Sequence, residues 1–382
     1  MITYQIWYHV LAHCFGFELI IMKAIILAGG LGTRLRPLTY NTPKSLVPVL
    51  NRPFLEHVLR RLKKHGVDEV VLAMSHLASP IEACFGDGSR LGLKISYVLE
   101  KSALGTAGAV KNVAELVSDS FFVLNGDIFS DLDFSAMLAF HHKNKARATI
   151  ALTPVDNPTH YGLIEMDRRS RVTRFLEKPR PEEVTTNMIN AGTYVLEPGV
   201  LDMIPRSQEY SFERQLFPSM LAGGDAVYAF PSSGYWIDIG NPEKYSQLNF
   251  DLLSGKGGQY GFNHGDEIII GRGSRIHPAA RLKGPLLVGD NCTFGKEVVI
   301  TGPSVIGQDC RIEDAATIYA SVIWQKVTIG NGCRFISSIA ANGCNMQPGS
   351  EANRAVLGDN VTISRGYKLE PGTRVEPGKI VE

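Results

Sequence analysis

Apolar residues in the first two thirds of the chain follow two alternating patterns. Runs of consecutive apolar side chains, typical of strands buried in a parallel sheet, occur at 23–28, 69–74, 95–99 and 121–125. Apolar residues with helical spacing lie between them, at 54–65 and 107–117. Strands that alternate with helices predict βαβ units, so we expect a Rossmann-like, doubly wound mixed α/β sheet. Such sheets bind ligands at the carboxyl ends of their strands.

The last third of the chain changes to a period of six residues. A bulky apolar residue recurs at Ile270, Ile276, Leu282, Val288, Phe294, Ile300, Ile306, Ile312 and Ile318. After an irregular stretch the same period returns at Leu357, Ile363, Leu369, Val375 and Val381. Neither an amphipathic helix nor a flat strand has this period. Hexapeptide repeats are typical of a left-handed parallel β-helix with three short strands per coil, which we expect over 266–382.

Three residues of the repeat region carry possible chemistry of their own. Cys292 and Cys310 are one coil apart, so we predict that they stack as small core residues, with a disulfide as the alternative. His277 falls at a coil turn. Hexapeptide β-helices include acyltransferases with a histidine base, but no partner motif accompanies His277, so a structural role is the preferred interpretation.

Two segments flank the predicted α/β region, 23–253. Residues 254–265 contain five glycines and are interpreted as a linker. Residues 1–22 lack Lys and Arg, which argues against a secretory signal peptide, and His9, His13 and Glu18 interrupt any membrane span. We interpret 1–22 as an N-terminal extension that adds little to the fold, with a membrane-surface segment as the alternative.

Charge and cysteine content narrow the class of protein. The 382 residues carry a net charge of +1, and this balance argues against a nucleic-acid partner. The six cysteines form no CxxC pair and show no metal-ligand spacing, which predicts a reduced, cytoplasmic protein.

The segment KAIILAGGLGTRLRPLTYNTPKSL, residues 23–46, places glycines at the end of a predicted strand. It is not a dinucleotide fingerprint, because Leu35 replaces the third glycine and Pro37 would break a following helix. It also lacks the Gly-Lys-Ser/Thr of a Walker A loop. Backbone N–H groups from Gly29 to Thr33, together with the side chains of Arg34, Arg36 and Lys44, suit a polyphosphate. The alternative is a tight βα turn followed by a solvated basic stretch.

GGLGTRLRPLTYNTPKSLVPV resembles the signature of the sugar-1-phosphate nucleotidyltransferases, also called nucleotide-sugar pyrophosphorylases. Matches to other motifs of this family follow in order: LGTAGAV (104–110), LNGD (124–127), YGLIE (161–165), FLEKP (175–179), INAG (189–192) and GYWIDIG (234–240). A C-terminal β-helix is common in the family. Several of these motifs are most similar to those of mannose-1-phosphate guanylyltransferases, whereas the thymidylyltransferase branch typically has Gln where this chain has Ser45.

The resemblance implies a reaction in which a sugar 1-phosphate attacks the α-phosphorus of a nucleoside triphosphate and pyrophosphate leaves. It implies Mg²⁺ bound by Asp127 and Asp238, the triphosphate held by Arg34 and Lys44, and the sugar phosphate neutralised by Lys178. It further implies sugar contacts from Gly162, Glu177 and Asn190, and nucleotide contacts from Leu27, Ala28, Gly29, Gly30, Gly32, Thr33, Gly105, Thr106 and Asn125. Taken singly, each aspartate also fits a turn or cap, and Lys178 fits an ordinary surface lysine.

We therefore expect an enzyme that makes GDP-mannose from GTP and mannose 1-phosphate and forms a homo-oligomer through its β-helix. Three alternatives remain. The enzyme uses glucose 1-phosphate with dTTP or UTP; the chain is a non-catalytic regulatory subunit that binds a nucleotide sugar; or the β-helix adds an acyltransferase activity.

Overall fold

The structure is a computed structural model that describes residues 22–75, 78–100, 102–258 and 267–382. The predicted extension, apart from Met22, and residues 259–265 of the predicted linker lie outside the described residues. Within the described ranges, no helix combines the length and the apolar character that crossing a membrane requires.

Residues 22–258 form an α/β domain. Its described α-helices are α1 (Phe54–Lys64), α2 (Ala78–Phe85), α3 (Gly105–Lys111), α4 (Phe134–Lys143), α5 (Phe217–Ala222) and α6 (Pro242–Leu253). Its described strands are β1 (Met22–Leu27), β2 (Pro48–Val49), β3 (Arg52–Pro53), β4 (Val67–Met74), β5 (Lys94–Leu99), β6 (Phe121–Asn125), β7 (Ile128–Ser130), β8 (Ala148–Pro154), β9 (Gly162–Met166), β10 (Val172–Glu177), β11 (Met188–Leu196), β12 (Val227–Pro231) and β13 (Trp236–Asp238).

The main sheet is mixed, as predicted. Its central order is β10-β9-β11-β6-β1-β4-β5, and β8 pairs with β11 and β12. Strands β6, β1, β4 and β5 run parallel, whereas β11 is antiparallel to β6. The carboxyl ends of the four parallel strands therefore share one edge, which is where the glycine-rich loop and the NGD motif emerge.

The predicted strands and the helix at 54–65 are confirmed to within about two residues. The helix predicted at 107–117 is wrong in its second half. Helix α3 starts earlier, at Gly105, and ends at Lys111, with Asn112 as its C-cap. The chain then makes a separate 3₁₀ turn at Ala114–Leu116, while Val113 is buried beneath it. The apolar residues after Lys111 therefore belong to a separate turn and not to a continuation of the helix.

Residues 267–382 form a left-handed parallel β-helix of three sheets, which confirms the fold predicted from the repeat. Its strands are Ile268–Ile270, Arg275–Ile276, Arg281–Lys283, Leu286–Val288, Thr293–Phe294, Val299–Thr301, Ser304–Ile306, Arg311–Ile312, Thr317–Tyr319, Val322–Ile323, Thr328–Ile329, Arg334–Ile336, Ile339–Ala340, Asn345–Met346, Glu351–Asn353, Val356–Leu357, Thr362–Ile363, Arg374–Val375 and Ile380–Val381. Neighbouring strands within each sheet pair in parallel.

The stretch that looked irregular in sequence continues the β-helix with shorter coils. Ile306 pairs with Ile323, which pairs with Ala340, and Ala340 pairs with Leu357, so each step is 17 residues rather than 18. The missing residue falls at one corner, where Ala320, Ser337 and Arg354 adopt positive φ angles of 45° to 51°. A tighter corner therefore shifts the hexapeptide phase without interrupting the core.

The cysteines of the β-helix stack inside it as free thiols. Cys292 and Cys310 are buried and unpaired, so the disulfide alternative is wrong. Their Sγ atoms lie 3.1 Å from the carbonyl oxygen of Gly307 and 3.0 Å from that of Trp324. His277 lies at a coil corner, where its Nδ1 accepts a hydrogen bond from the Ala279 N–H at 3.1 Å.

The two domains share a hydrophobic core. Trp324 and neighbouring apolar residues of the β-helix pack in the same cluster as Tyr245 and Leu248 of α6. Because α6 begins four residues after Asp238, the β-helix contacts an element that starts at the candidate active site.

Candidate active site

The glycine-rich loop after β1 folds back on itself instead of starting an α-helix. Gly32 adopts a left-handed conformation with φ of 61°, and a β-carbon there would lie 3.2 Å from the Lys44 Cβ. The Thr39 hydroxyl donates to the Gly32 carbonyl at 2.8 Å. Two short 3₁₀ turns, Thr33–Leu35 and Lys44–Leu46, bring both ends of the loop together. This loop conformation places Arg34 and Lys44 at the same edge of the sheet, beside the carboxyl ends of the parallel strands.

Two aspartates meet at Lys44 because two short strands pair. Strand β13 runs antiparallel to β7 with Asp238 opposite Ile128, and the Ile239 N–H donates to the Asp127 carbonyl at 3.1 Å. The Lys44 ammonium lies 2.7 Å from Asp127 Oδ2 and 3.8 Å from Asp238 Oδ1. Arg34 reaches Asp238 Oδ2 at 4.0 Å but remains largely exposed. The structure thus brings four of the predicted charged residues, Arg34, Lys44, Asp127 and Asp238, into one cluster.

The environment of Asp238 fits a cation ligand. Burial, and then the nearby Asp127 carboxylate, raises the pKa of Asp238, against the opposing effect of Lys44, Arg34 and Lys244. Its Oδ1 is buried without a hydrogen-bond partner. Within the described ranges no group of three acidic, histidine or cysteine side chains forms a metal cage. Two carboxylates are nevertheless sufficient for an ion such as Mg²⁺, which usually completes its shell with water and substrate phosphate oxygens.

A cavity of about 510 Å³ opens beside this cluster. Every predicted nucleotide-binding residue lines it: Leu27, Ala28, Gly29, Gly30, Gly32, Thr33, Gly105, Thr106 and Asn125. Gly105 has φ of 69°, and a β-carbon there would lie 2.8 Å from the Tyr210 carbonyl oxygen, so a glycine is needed at this wall. The Oδ1 of Asn125, another lining residue, is buried without a hydrogen-bond partner.

The predicted sugar-binding residues form a second group. Gly162 packs against Glu177, whose Oε2 would lie 2.9 Å from a β-carbon at Gly162. Burial, and then the Glu213 carboxylate, raises the pKa of Glu177. The Asn190 side chain donates to the Tyr194 hydroxyl at 2.8 Å, and that hydroxyl donates to Glu213 Oε1 at 3.1 Å.

The two groups are connected, but Lys178 stands apart. Glu213 Oε2 accepts from the Thr106 hydroxyl at 3.0 Å, so one carboxylate links the nucleotide cavity to the Asn190 network. Lys178 is exposed, with φ of 51°, and its backbone N–H donates to the Tyr161 carbonyl at 3.0 Å. The structure therefore places Lys178 at the rim beside the sugar group and outside the cavity lining.

Sequence reasoning missed several residues of the site. Glu100 and Ser75 line the nucleotide cavity, and Lys244, Tyr161 and Glu213 surround the sugar side. One signal was available for Glu100, since it follows the predicted strand at 95–99 and precedes LGTAG. The others become neighbours only through tertiary packing.

Comparisons with known proteins agree with this geometry. Residues 23–255 match the nucleotidyl transferase family, and residues 266–369 match the LbH domain of EIF2B subunit epsilon. The chain belongs to the nucleotidyl transferase family and to its sugar-1-phosphate nucleotidyltransferase class, whose members use a divalent metal ion.

Individual relatives are similar over most of the chain. A mannose-1-phosphate guanylyltransferase of Mycobacterium tuberculosis is 38% identical over 82% of this chain and 82% of the relative. A UTP–glucose-1-phosphate uridylyltransferase of Synechocystis is 36% identical over 83% of this chain and 87% of the relative. The crystal structure of HddC from Yersinia pseudotuberculosis complexed with GMP-PN is 31% identical, with a TM-score of 0.52, and covers 60% of this chain and 98% of HddC.

Proposed function

We propose that the protein transfers a guanylyl group from GTP to mannose 1-phosphate, forming GDP-mannose and pyrophosphate. The observation that carries the transfer chemistry is the cluster of Lys44, Asp127 and Asp238 at one end of a nucleotide-sized cavity. The names of the mycobacterial relative and of the GMP-PN complex support GTP and mannose 1-phosphate as the substrates.

In the proposed reaction, a phosphate oxygen of the sugar 1-phosphate attacks the α-phosphorus, and the bond from that phosphorus to the bridging oxygen of pyrophosphate breaks. The nucleophile is already an anion, so no strong general base is needed. The obstacle is the approach of two polyanions, which cationic groups relieve. We assign Arg34 and Lys44 to the triphosphate and the leaving pyrophosphate, and Lys178 to the sugar phosphate.

The carboxylates of Asp127 and Asp238 would hold the Mg²⁺ ion. When bound, the ion stabilises negative charge on the phosphoryl oxygens. Glycines Gly29, Gly30 and Gly32 let the backbone approach the phosphates, while Gly162, Glu177 and Asn190 contact the sugar. The remaining predicted nucleotide-binding residues line the nucleoside.

Glu100 favours guanine as the base. It follows β5, which is three strands from β6, so it lies about 14 Å along the sheet edge from the Asp127 end of the cavity. Among the residues that the structure describes, its carboxylate accepts a single long contact, from the Leu104 N–H to Oε2 at 3.3 Å. Guanine presents two adjacent donors, N1–H and N2–H, that match an acceptor-only carboxylate. Uracil and thymine present one donor between two acceptors, which a carboxylate repels.

The test is a pyrophosphate-release screen of GTP, dTTP, UTP, ATP and CTP against mannose 1-phosphate and glucose 1-phosphate, with Mg²⁺ present. We expect the highest kcat/KM for GTP with mannose 1-phosphate. Preference for UTP or dTTP with glucose 1-phosphate would replace this assignment with the uridylyl- or thymidylyltransferase alternative. Absence of turnover with every pair would contradict the enzyme and favour a nucleotide-sugar-binding subunit.

We further propose that the protein acts in the cytoplasm as a homo-oligomer assembled through the β-helix. The five described cysteines are free, which suits a reducing compartment. Light scattering of the purified chain tests the oligomer, and a monomer at micromolar concentration would contradict it.

A further inference from the structure

Lys244 is a half-buried cation whose nearest partner is uncharged. It lies in the first turn of α6, six residues after Asp238. Its ammonium donates to the Tyr161 hydroxyl at 2.5 Å and lies 5.3 Å from the centre of that ring. Among the described residues it forms no salt bridge, so its charge is not neutralised by a carboxylate in contact. A partly desolvated ammonium without an anion is stabilised by binding one.

Lys244 follows closely on the carboxylate cluster in the chain. Asp238 ends β13, and α6 begins four residues later at Pro242, so Lys244 lies in the first helical turn after that carboxylate. Both residues are held by a rigid connection, because Asn241 caps α6 and accepts from the Lys244 backbone N–H at 2.8 Å. The backbone of Lys244 is therefore fixed at the start of α6.

The side chain of Lys244 lies beside the sugar group. Tyr161 directly precedes Gly162, and its carbonyl accepts from the Lys178 N–H at 3.0 Å. Its ring packs edge-on against Trp236, with ring centres 5.5 Å apart. The Trp236 indole donates to the Ala191 carbonyl at 3.0 Å, next to Asn190. Tyr161 thus contacts two lysines. Its hydroxyl accepts from the side chain of Lys244, and its carbonyl accepts from the backbone of Lys178.

We propose that Lys244 binds the phosphate group of the sugar 1-phosphate, with Tyr161 holding its ammonium in place. This inference rests on the proposed function, because the attacking phosphate of that reaction must lie between the metal-binding carboxylates and the sugar ring. Lys244 contacts Tyr161 beside the sugar group and lies in the first turn of the helix that follows Asp238. Its charge offsets the repulsion between the incoming phosphate and the α-phosphate of the nucleotide.

The experiment measures steady-state kinetics of wild type and Lys244→Met with each substrate varied in turn. We expect kcat/KM for the sugar 1-phosphate to fall about 10- to 100-fold, as for a lost charge-assisted hydrogen bond, while KM for the nucleoside triphosphate stays within about two-fold. Lys244→Arg should recover most of the loss. In the reverse direction KM should rise for the nucleotide sugar and not for pyrophosphate.

Lys256→Met is the matched control, since this lysine follows the same helix but pairs with Asp251 at 2.9 Å. It should leave both KM values unchanged. Tyr161→Phe keeps the lysine and removes the hydroxyl that holds it, so a smaller rise in the same KM is expected even where Lys244→Met folds poorly.

The outcomes separate the two proposals. A wild type that turns over no substrate pair contradicts the proposed function. An active wild type whose Lys244→Met variant keeps its KM for the sugar 1-phosphate, or raises both KM values equally, contradicts the role of Lys244 alone.

Discussion

At the scale of single residues, the site depends on how Lys44 and two aspartates share one partly buried space. Lys44 contacts Asp127 at 2.7 Å and lies 3.8 Å from Asp238, so one positive charge balances part of two negative ones. The side chains of Lys44 and Asp238 are only 11% and 16% exposed, which makes their interaction stronger than a surface pair. A metal ion that binds together with the triphosphate would balance the remaining negative charge of the two aspartates.

Asp238→Asn tests the metal assignment. Loss of this carboxylate should lower kcat by about 10²- to 10³-fold and raise the Mg²⁺ concentration needed for half-maximal rate, because an electrostatic contact to the transition state is lost. Pyrophosphate release is measured across a range of MgCl₂ concentrations. Asp202→Asn, at a largely exposed position, is the control. A rate within a few-fold of wild type at every Mg²⁺ concentration would refute the assignment.

Glu100→Gln tests base selection. The amide keeps the shape of the side chain but replaces one acceptor with a donor, so it no longer matches both guanine donors. The ratio of kcat/KM for GTP to that for UTP should fall about 10- to 100-fold, the range for one bidentate base contact. Glu82→Gln, on the exposed face of α2, should not change this ratio. An unchanged ratio in Glu100→Gln would place base recognition elsewhere in the cavity.

The charged centre of the site could be predicted from sequence because its members lie in long motifs at strand ends. Arg34, Lys44, Asp127 and Asp238 all come together as expected. Lys244 could not be predicted in the same way. It lies in an ordinary amphipathic helix, and only the tertiary contact of its ammonium with Tyr161 places it beside the sugar group.

At the scale of elements, local pattern determines the strands more reliably than the ends of helices. Strand β6 is buried on both faces, so its apolar run marks its ends closely. After α3, by contrast, apolar residues continue while the backbone turns at Asn112. In the β-helix, 17-residue coils have the same core as 18-residue coils, since a corner residue can be lost without changing which side chains point inward.

Helix α1 contains a histidine whose burial predicts a pH effect on stability. The ring Nε2 of His57 lies 2.9 Å from the Val49 carbonyl of β2, so this nitrogen carries the proton. Burial lowers the pKa of His57 below its usual value near 6.5, with the Val49 bond opposing. Below about pH 6.5 the unfolded chain therefore binds a proton more readily than the folded chain, and stability falls as the pH decreases.

His57→Gln removes this titration. Between pH 7.5 and pH 5.5 the wild type should lose more thermal stability than the variant, because only the wild type pays for a proton bound in the unfolded state. Thermal unfolding of both proteins is followed at several pH values in this range. His277→Gln, at an exposed corner of the β-helix, serves as the control. Parallel pH profiles for wild type and His57→Gln would contradict the effect.

At the scale of the whole molecule, the β-helix supports the segment that carries Lys44. Asn51 donates to the Ile306 carbonyl at 2.8 Å, and Asn41 donates to Asp359 at 3.2 Å. A third connection passes through Tyr245 of α6. Its buried hydroxyl accepts from the Trp324 indole at 2.9 Å and donates to the Pro48 carbonyl at 2.5 Å. Pro48 lies four residues after Lys44, so a packed path leads from the β-helix core to Lys44.

A double-mutant cycle of Trp324→Phe and Tyr245→Phe measures this path. Each single change should lower the free energy of unfolding by about 1–3 kcal/mol, and the two effects should be coupled by about 0.5 kcal/mol or more, because both remove the same hydrogen bond. Trp324→Phe should also reduce kcat roughly several-fold, since a displaced Lys44 segment no longer meets the nucleotide in its reactive geometry. Tyr319→Phe, on the exposed surface of the β-helix, is the control for stability and rate. Purely additive stabilities with an unchanged kcat would mean that the β-helix packs against the catalytic domain without positioning its lysine.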